Sequence, residues 1–259
     1  MADVRLALDQ ARYALLAAVR VPRMVVFGVV FPMILLVLFD GVFTKGSDQS
    51  VGFGGGTLSA SAYFTAGITA FAVAQQAFTS LVVGLTAQRE SGQLKRLRAT
   101  PMPVWTFVAG QILRCVALTW LMAAALLLIG AGAFGVSLSA ERVAGYLVVV
   151  ALGTFVFCAL AMAVTARTPT VDSASAVGPF LVVMLSFISG VFVAADQLPD
   201  SLARIGRVFP LYHVADGLDG VLAARQGTGL GASDLLALAI WGVVGTWAAV
   251  RRFRWEPLS

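Results

Sequence analysis

Gln88-Arg89-Glu90-Ser91-Gly92-Gln93-Leu94-Lys95-Arg96-Leu97-Arg98-Ala99-Thr100-Pro101-Met102-Pro103 is the densest run of charge in a chain of 259 residues that is otherwise nearly all apolar. Its spacing predicts a short helix over Arg89–Ala99. Glu90, Leu94 and Leu97 fall at i, i+4 and i+7 and share a face, while Lys95 and Arg98 make a separate basic edge. Gly92 costs such a helix about 1 kcal/mol relative to Ala, so a bend or a close backbone approach is expected there. Thr100-Pro101-Met102-Pro103 stops the helix, because a residue before proline avoids the α conformation. A helix this short holds no core of its own and must rest on something. One acid and two leucines on a face suit a groove on a partner protein, and a basic loop lying on lipid fits the same residues.

Working outward, the composition sets the class. Hydrophobic residues make up 59% and charged residues 12%, and the mean hydropathy is +0.90. A soluble domain carries about twice that share of charge. The chain therefore reads as an all-α integral membrane protein. The net charge of +5 arises from basic residues between apolar spans, which calls for an orientation against a membrane face and not for nucleic acid. Cys115 and Cys158 sit inside apolar runs without metal or redox spacing and read as small core residues.

Six spans are expected. Residues 1–23 read as an amphipathic helix on the cytoplasmic surface: Val4, Leu8, Ala11, Leu15 and Val19 keep helical spacing, and Arg5, Arg12 and Arg20 face head groups. Charges at Asp3, Arg5, Asp9 and Arg12 precede any apolar run, so no cleavable signal peptide is expected. The membrane domain covers 24–251. Span one is about 24–39, short for a hydrocarbon core that needs roughly 20 residues, with Pro32 predicting a kink. An outer loop over 40–57 contains Gly54-Gly55-Gly56. Span two is about 58–87, span three about 104–130, span four about 143–166, span five about 173–194 and span six about 234–250. A tail over 252–259 follows.

Polar residues within the spans are candidates for helix packing or for a substrate path: Gln75, Gln76 and Thr79 on span two, Ser186 and Ser189 on span five. Arg114 lies about ten residues into span three, roughly 15 Å along the axis. A charge at that depth costs about 2.5–3.5 kcal/mol on insertion scales and needs a partner, a route to the interface, or a substrate or lipid group. Residues 195–230 are Pro-broken and irregular, and read as short re-entrant or interfacial helices before the last span. His213, the only histidine, makes no metal site or triad and reads as structural.

The positive-inside rule orients the chain. Arg5, Arg12, Arg20, Arg23, Arg89, Lys95, Arg96, Arg98, Arg167, Arg251, Arg252 and Arg254 fall on one side, against Lys45, Arg142, Arg204, Arg207 and Arg225 on the other. Both termini are therefore expected in the cytoplasm. The chain has two lysines and no Gly-x-x-x-x-Gly-Lys-Ser/Thr, so it has no phosphate-cradling loop; His-Glu-x-x-His, Gly-x-Ser-x-Gly and paired-Cys patterns are missing too. No catalytic, metal-binding or cofactor-binding residue is assigned.

Arg89-Glu90-Ser91-Gly92-Gln93-Leu94-Lys95-Arg96-Leu97-Arg98-Ala99-Thr100-Pro101 resembles the signature of the ABC-2 type transporter permeases, where a Glu, a Gly, spaced leucines and a Thr-Pro recur after the second span. The length, the span order and the Pro-containing segment with Leu198-Pro199 and Phe209-Pro210-Leu211 extend the resemblance over essentially the whole chain, which looks most like the daunorubicin-exporter-like, drug-resistance subgroup. The resemblance implies that 88–103 carries a coupling helix seated on a separate ATP-binding cassette subunit, with Arg89, Glu90, Gly92, Leu94, Leu97 and Arg98 at the contact. It implies two such ATPase subunits, which bind ATP and Mg, a second permease subunit, identical or related, and membrane lipids as partners. The expected function is export of a hydrophobic or amphipathic compound (drug, antibiotic or lipid) across a bacterial inner membrane; the chain is not an enzyme by itself. Export of a polysaccharide or glycolipid is the alternative, and a secondary transporter or membrane scaffold a further one. The near absence of acids within the spans argues against an ion-coupled carrier.

Overall fold

The computed structural model describes residues 30–43, 50–53, 56–99, 103–193, 197–223 and 228–252. The expected surface helix 1–23, the start of span one and the tail from 253 lie outside them. The elements are α1 (Phe31–Phe43), a β1–β2 hairpin (Ser50–Phe53 and Gly56–Ser59), α2 (Ala60–Glu90), α3 (Gln93–Arg98), α4 (Val104–Phe134), α5 (Ala140–Thr165), α6 (Val171–Ile188), α7 (Asp200–Gly206), α8 (Pro210–Ala223) and α9 (Ala232–Arg252).

Five of these helices, α2, α4, α5, α6 and α9, are long and apolar enough to cross a membrane; α1 is a shorter apolar helix. With no water in a bilayer core, the backbone must satisfy its own hydrogen bonds, and apolar sequences of this length do so as helices. The outward surface is itself apolar: Leu121 and Leu128 of α4, Phe180 and Phe187 of α6, and Val243 and Val250 of α9 are all exposed. The chain is a multi-pass membrane protein.

Helix ends follow local chemistry. The Ser59 hydroxyl accepts from the Ala62 amide at 3.3 Å and opens α2. Thr170 and Ser173 form a reciprocal capping box at the start of α6. Pro210 opens α8, where its missing N–H costs nothing. Pro32 sits in the first turn of the described part of α1. Pro179 lies inside α6.

α2 is the central element. Residues 60–74 pack against α8, α4 and α1, and residues 80–90 against α6, α5 and α3. Between them Gln75–Thr79 form a π-turn, an insertion of one residue into the helical repeat. α9 runs along α5. In lipid, helices associate through packing and polar links. An aromatic cluster at one end centres on Phe192, whose ring lies 5.3 Å from Phe71, 5.3 Å from Phe187 and 5.6 Å from Phe39. Hydroxyls also join the helices. Tyr146 of α5 lies 3.0 Å from Thr69 of α2 and donates to the Ala123 carbonyl of α4, and Thr119 meets Thr154 at 2.8 Å. Near the Phe192 cluster, the Tyr63 phenol donates to the Gly190 carbonyl.

α7 returns against the end of α6 so closely that a Cβ on Gly206 would stand 1.8 Å from the Ile188 carbonyl oxygen; no larger residue fits there. α8 is buried along one side through Leu211, Val214, Leu218 and Leu222. It is tied to α9 by His213 Nδ1 and Asp234 Oδ1 at 2.9 Å. Arg142 of α5 donates to the Val221 and Leu222 carbonyls at its C-terminus, where a cation suits the helix dipole. The sequence pattern placed short helices over 195–230; α7 and α8 are the helices found in the described part of that range.

Candidate functional site

The charged stretch lies at the end of the bundle where α2 stops and α5 turns into α6. α2 continues through Glu90, so the stretch does not form one helix over Arg89–Ala99. The chain turns at Ser91-Gly92 and restarts as the six-residue α3. Gly92 has φ of +70°, a left-handed conformation that residues with a Cβ adopt at a cost. A Cβ there would meet nothing within 4 Å. The glycine is needed for the bend and not for close packing.

The bend sorts the side chains. Leu94 is fully buried and Leu97 half-buried, whereas Gln93, Lys95 and Arg96 are exposed. The Arg96 guanidinium reaches back to the Ser91 carbonyl at 3.1 Å. Only the backbone of Arg98 is described.

Arg89 points inward and is 1% exposed. It donates through Nη1 to the Thr165 carbonyl at 2.7 Å, and through Nη2 to the Thr168 carbonyl and, at 3.4 Å, the Pro169 carbonyl. These carbonyls belong to the C-terminal end of α5 and the turn after it, where helical acceptors lack intrahelical donors. Glu90 is exposed, and its Oε1 accepts from the Val171 amide, the first of α6, at 2.9 Å. An anion at a helix N-terminus and a cation at a helix C-terminus both suit the dipoles they meet. The sequence pattern carried no sign of these partners, because they are main-chain groups nearly 80 residues away.

The other candidates lie deeper. In the π-turn, Thr79 donates to Gln75 Oε1 at 3.2 Å, Gln76 Nε2 donates to Ser80 Oγ at 3.4 Å, and Ser80 Oγ donates to the Gln76 carbonyl. These side chains bond along their own helix, at the level where α2 meets α5 and α6. Ser186 is buried and returns its hydroxyl to the Val182 carbonyl at 2.7 Å. Ser189 is buried, with no partner for its hydroxyl among the described residues. Arg114 is largely buried and donates to Gln111 Oε1 at 3.3 Å, one turn back on α4. Cys115 and Cys158 are buried and free.

Residues 11–222 match the family model of the ABC-2 type transporter. The chain belongs to the ABC-2 type transporter family. A span of 111 residues is also 31% identical to nodulation protein J of Sinorhizobium fredii, covering 43% of this chain and 42% of that protein. The chain thus matches less than half the length of that relative. The family match takes in α2, the bend, α3 and the α5–α6 turn. This ABC-2 chain is a transporter's membrane component, and its charged end brings together Arg89, Glu90, Gly92 and Leu94 of the candidate set. Gln75, Gln76, Thr79, Ser186 and Ser189 are distributed along α2 and around the end of α6.

Proposed function

We propose that this chain is the permease subunit of an ATP-binding cassette exporter. It moves a hydrophobic or amphipathic compound out of the cytoplasm or the inner leaflet, driven by ATP hydrolysis on two separate subunits. In this reading α1 is the end of a first of six spans, and both termini lie in the cytoplasm of a bacterial cell. A second permease, identical or related, completes the path, which runs along α6 and the π-turn of α2. There Gln75, Gln76, Thr79, Ser186 and Ser189 supply the few polar groups, and Arg114 is held within α4.

The observation that carries this reading is the geometry of α3. Leu94 anchors it to the bundle, while Gln93, Lys95 and Arg96 are exposed at a tip. A short helix with a buried apolar anchor and an outward basic face is suited to a groove on another protein. Gly92 shapes the tip, Leu97 and Arg98 edge it, and Arg89, Glu90 and Leu94 support it from the bundle. ATP and Mg bind the partner, since this sequence has no loop for phosphates.

The test is reconstitution. The chain is co-purified with an ATP-binding cassette subunit and placed in proteoliposomes carrying an amphipathic fluorescent dye. ATP-dependent dye movement that needs both proteins is expected. Movement driven by a proton or sodium gradient without ATP would overturn the reading in favour of a secondary carrier.

A further inference from the structure

We infer that Arg89 and Glu90 are positioning residues that make the α5–α6 turn follow the coupling stretch, so that a displacement applied at α3 reaches α6 directly. The inference rests on the proposed function for the source of that displacement, and on geometry alone for the clamp.

The two residues are neighbours at the end of α2, yet each engages a different helix. The buried Arg89 guanidinium holds carbonyls of Thr165, Thr168 and Pro169, closing the exit of α5. Glu90 holds the Val171 amide, closing the entry of α6. A planar guanidinium offers several donors in a fixed fork, which is what binding to three main-chain acceptors requires. Charge-assisted hydrogen bonds are the stronger kind, and both residues complement the dipole they meet. The turn is short: Ala166 to Thr170 is all that separates α5 from α6. Gripped at both ends from α2, it has little freedom to move separately.

On the other side of the pair, Gly92 bends the chain and Leu94 seats α3 on the bundle. The end of α2, α3, the turn and the start of α6 therefore form one mechanical unit. Without the clamp, a push on α3 reaches α6 through the α2 side chains packed against it. With it, the push also arrives through hydrogen bonds at the α6 N-terminus.

Hydrogen–deuterium exchange on the full chain in lipid nanodiscs tests this. In the chain alone, Glu90→Ala and Arg89→Ala are expected to speed exchange across 165–173 about tenfold, on the scale of one lost hydrogen bond. In complex with the ATP-binding cassette subunit, ATP with vanadate should alter exchange in 88–99 and 165–173 together in the wild type. In both alanine variants the change at 165–173 should be lost while that at 88–99 remains, and Arg89→Lys should restore part of it. Glu90 is exposed, so Glu90→Ala is expected to keep the fold and carries the test should Arg89→Ala misfold. A wild-type-sized nucleotide response at 165–173 in Glu90→Ala, with the subunit bound, would overturn the inference. If the subunit binds no form of the chain, the proposed function falls instead, and the chain-alone exchange still decides whether the pair grips the turn.

Discussion

Leu94 and Lys95 are adjacent on α3 and face opposite ways, one fully buried against the bundle and the other exposed. Substitutions at the two should therefore fail differently. Leu94→Ala is expected to loosen α3 from its seat at a cost of about 2 kcal/mol or more, read as faster proteolysis within 91–99 in the absence of any partner.

Lys95→Glu, at an exposed side chain, should leave that proteolysis unchanged when the protease does not cut at basic residues. It should weaken association with the ATP-binding cassette subunit by about tenfold and make it less sensitive to salt, as reversal of exposed interfacial charge does. Titrations at two ionic strengths measure this. Unchanged affinity would remove the exposed tip from the contact.

The purified chain by itself should hydrolyse no ATP above a phosphate-release blank, because its sequence holds no loop able to cradle phosphates. Turnover that survives removal of every co-purifying ATPase would refute the subunit reading.

Gly206→Ala should pry α7 from the end of α6. The added methyl would fall 1.8 Å from the Ile188 oxygen, well inside contact distance, and overpacking of this kind costs about 1–3 kcal/mol or more. The expected outcome is a lower melting temperature in detergent. Ala203→Gly, on the same helix, is the control for the loss or gain of a single methyl and should lower it less.

Asp219 of α8, which lies outside the five long apolar helices, makes a pH-dependent contribution. Burial, and then the charge of Asp216, push its carboxyl well above 3.8. A group whose folded value is raised stabilises the fold fully below its unfolded pKa, and that stabilisation is lost as pH rises through the folded value. The contribution of Asp219 to the melting temperature should therefore fall as pH climbs above about 4. Asp219→Asn should flatten this trend and exceed the wild type at neutral pH. Parallel pH profiles for the two proteins would contradict the assignment.

Much of the helical layout could be read from apolar runs. The sequence pattern put span two at about 58–87 and the helix is Ala60–Glu90; it put span four at about 143–166 and the helix is Ala140–Thr165. Length and hydropathy suffice there, because the bilayer dictates both. The β1–β2 hairpin was not legible. Its Gly-rich centre reads as a flexible loop, and a strand pairing such as Val51 with Leu58 depends on register that four-residue strands barely encode. The charged end was legible in part. Spacing put Glu90, Leu94 and Leu97 on one face of a single helix. The left-handed Gly92 breaks that helix, which leaves Glu90 and Leu94 on different elements. The inward turn of Arg89 was beyond reach, because its acceptors are carbonyls whose position depends on where α5 ends.

The π-turn at Gln75–Thr79 acts as a phase shifter. One surplus residue rotates everything after it by about 100° about the helix axis. The two halves of α2 thereby address separate sets of neighbours, and Arg89 arrives facing the exit of α5. Deleting a single residue such as Ala77 would give a more regular helix, yet it would swing the guanidinium round by more than a quarter turn. The irregularity in mid-span is thus a gear setting for contacts two and more turns away.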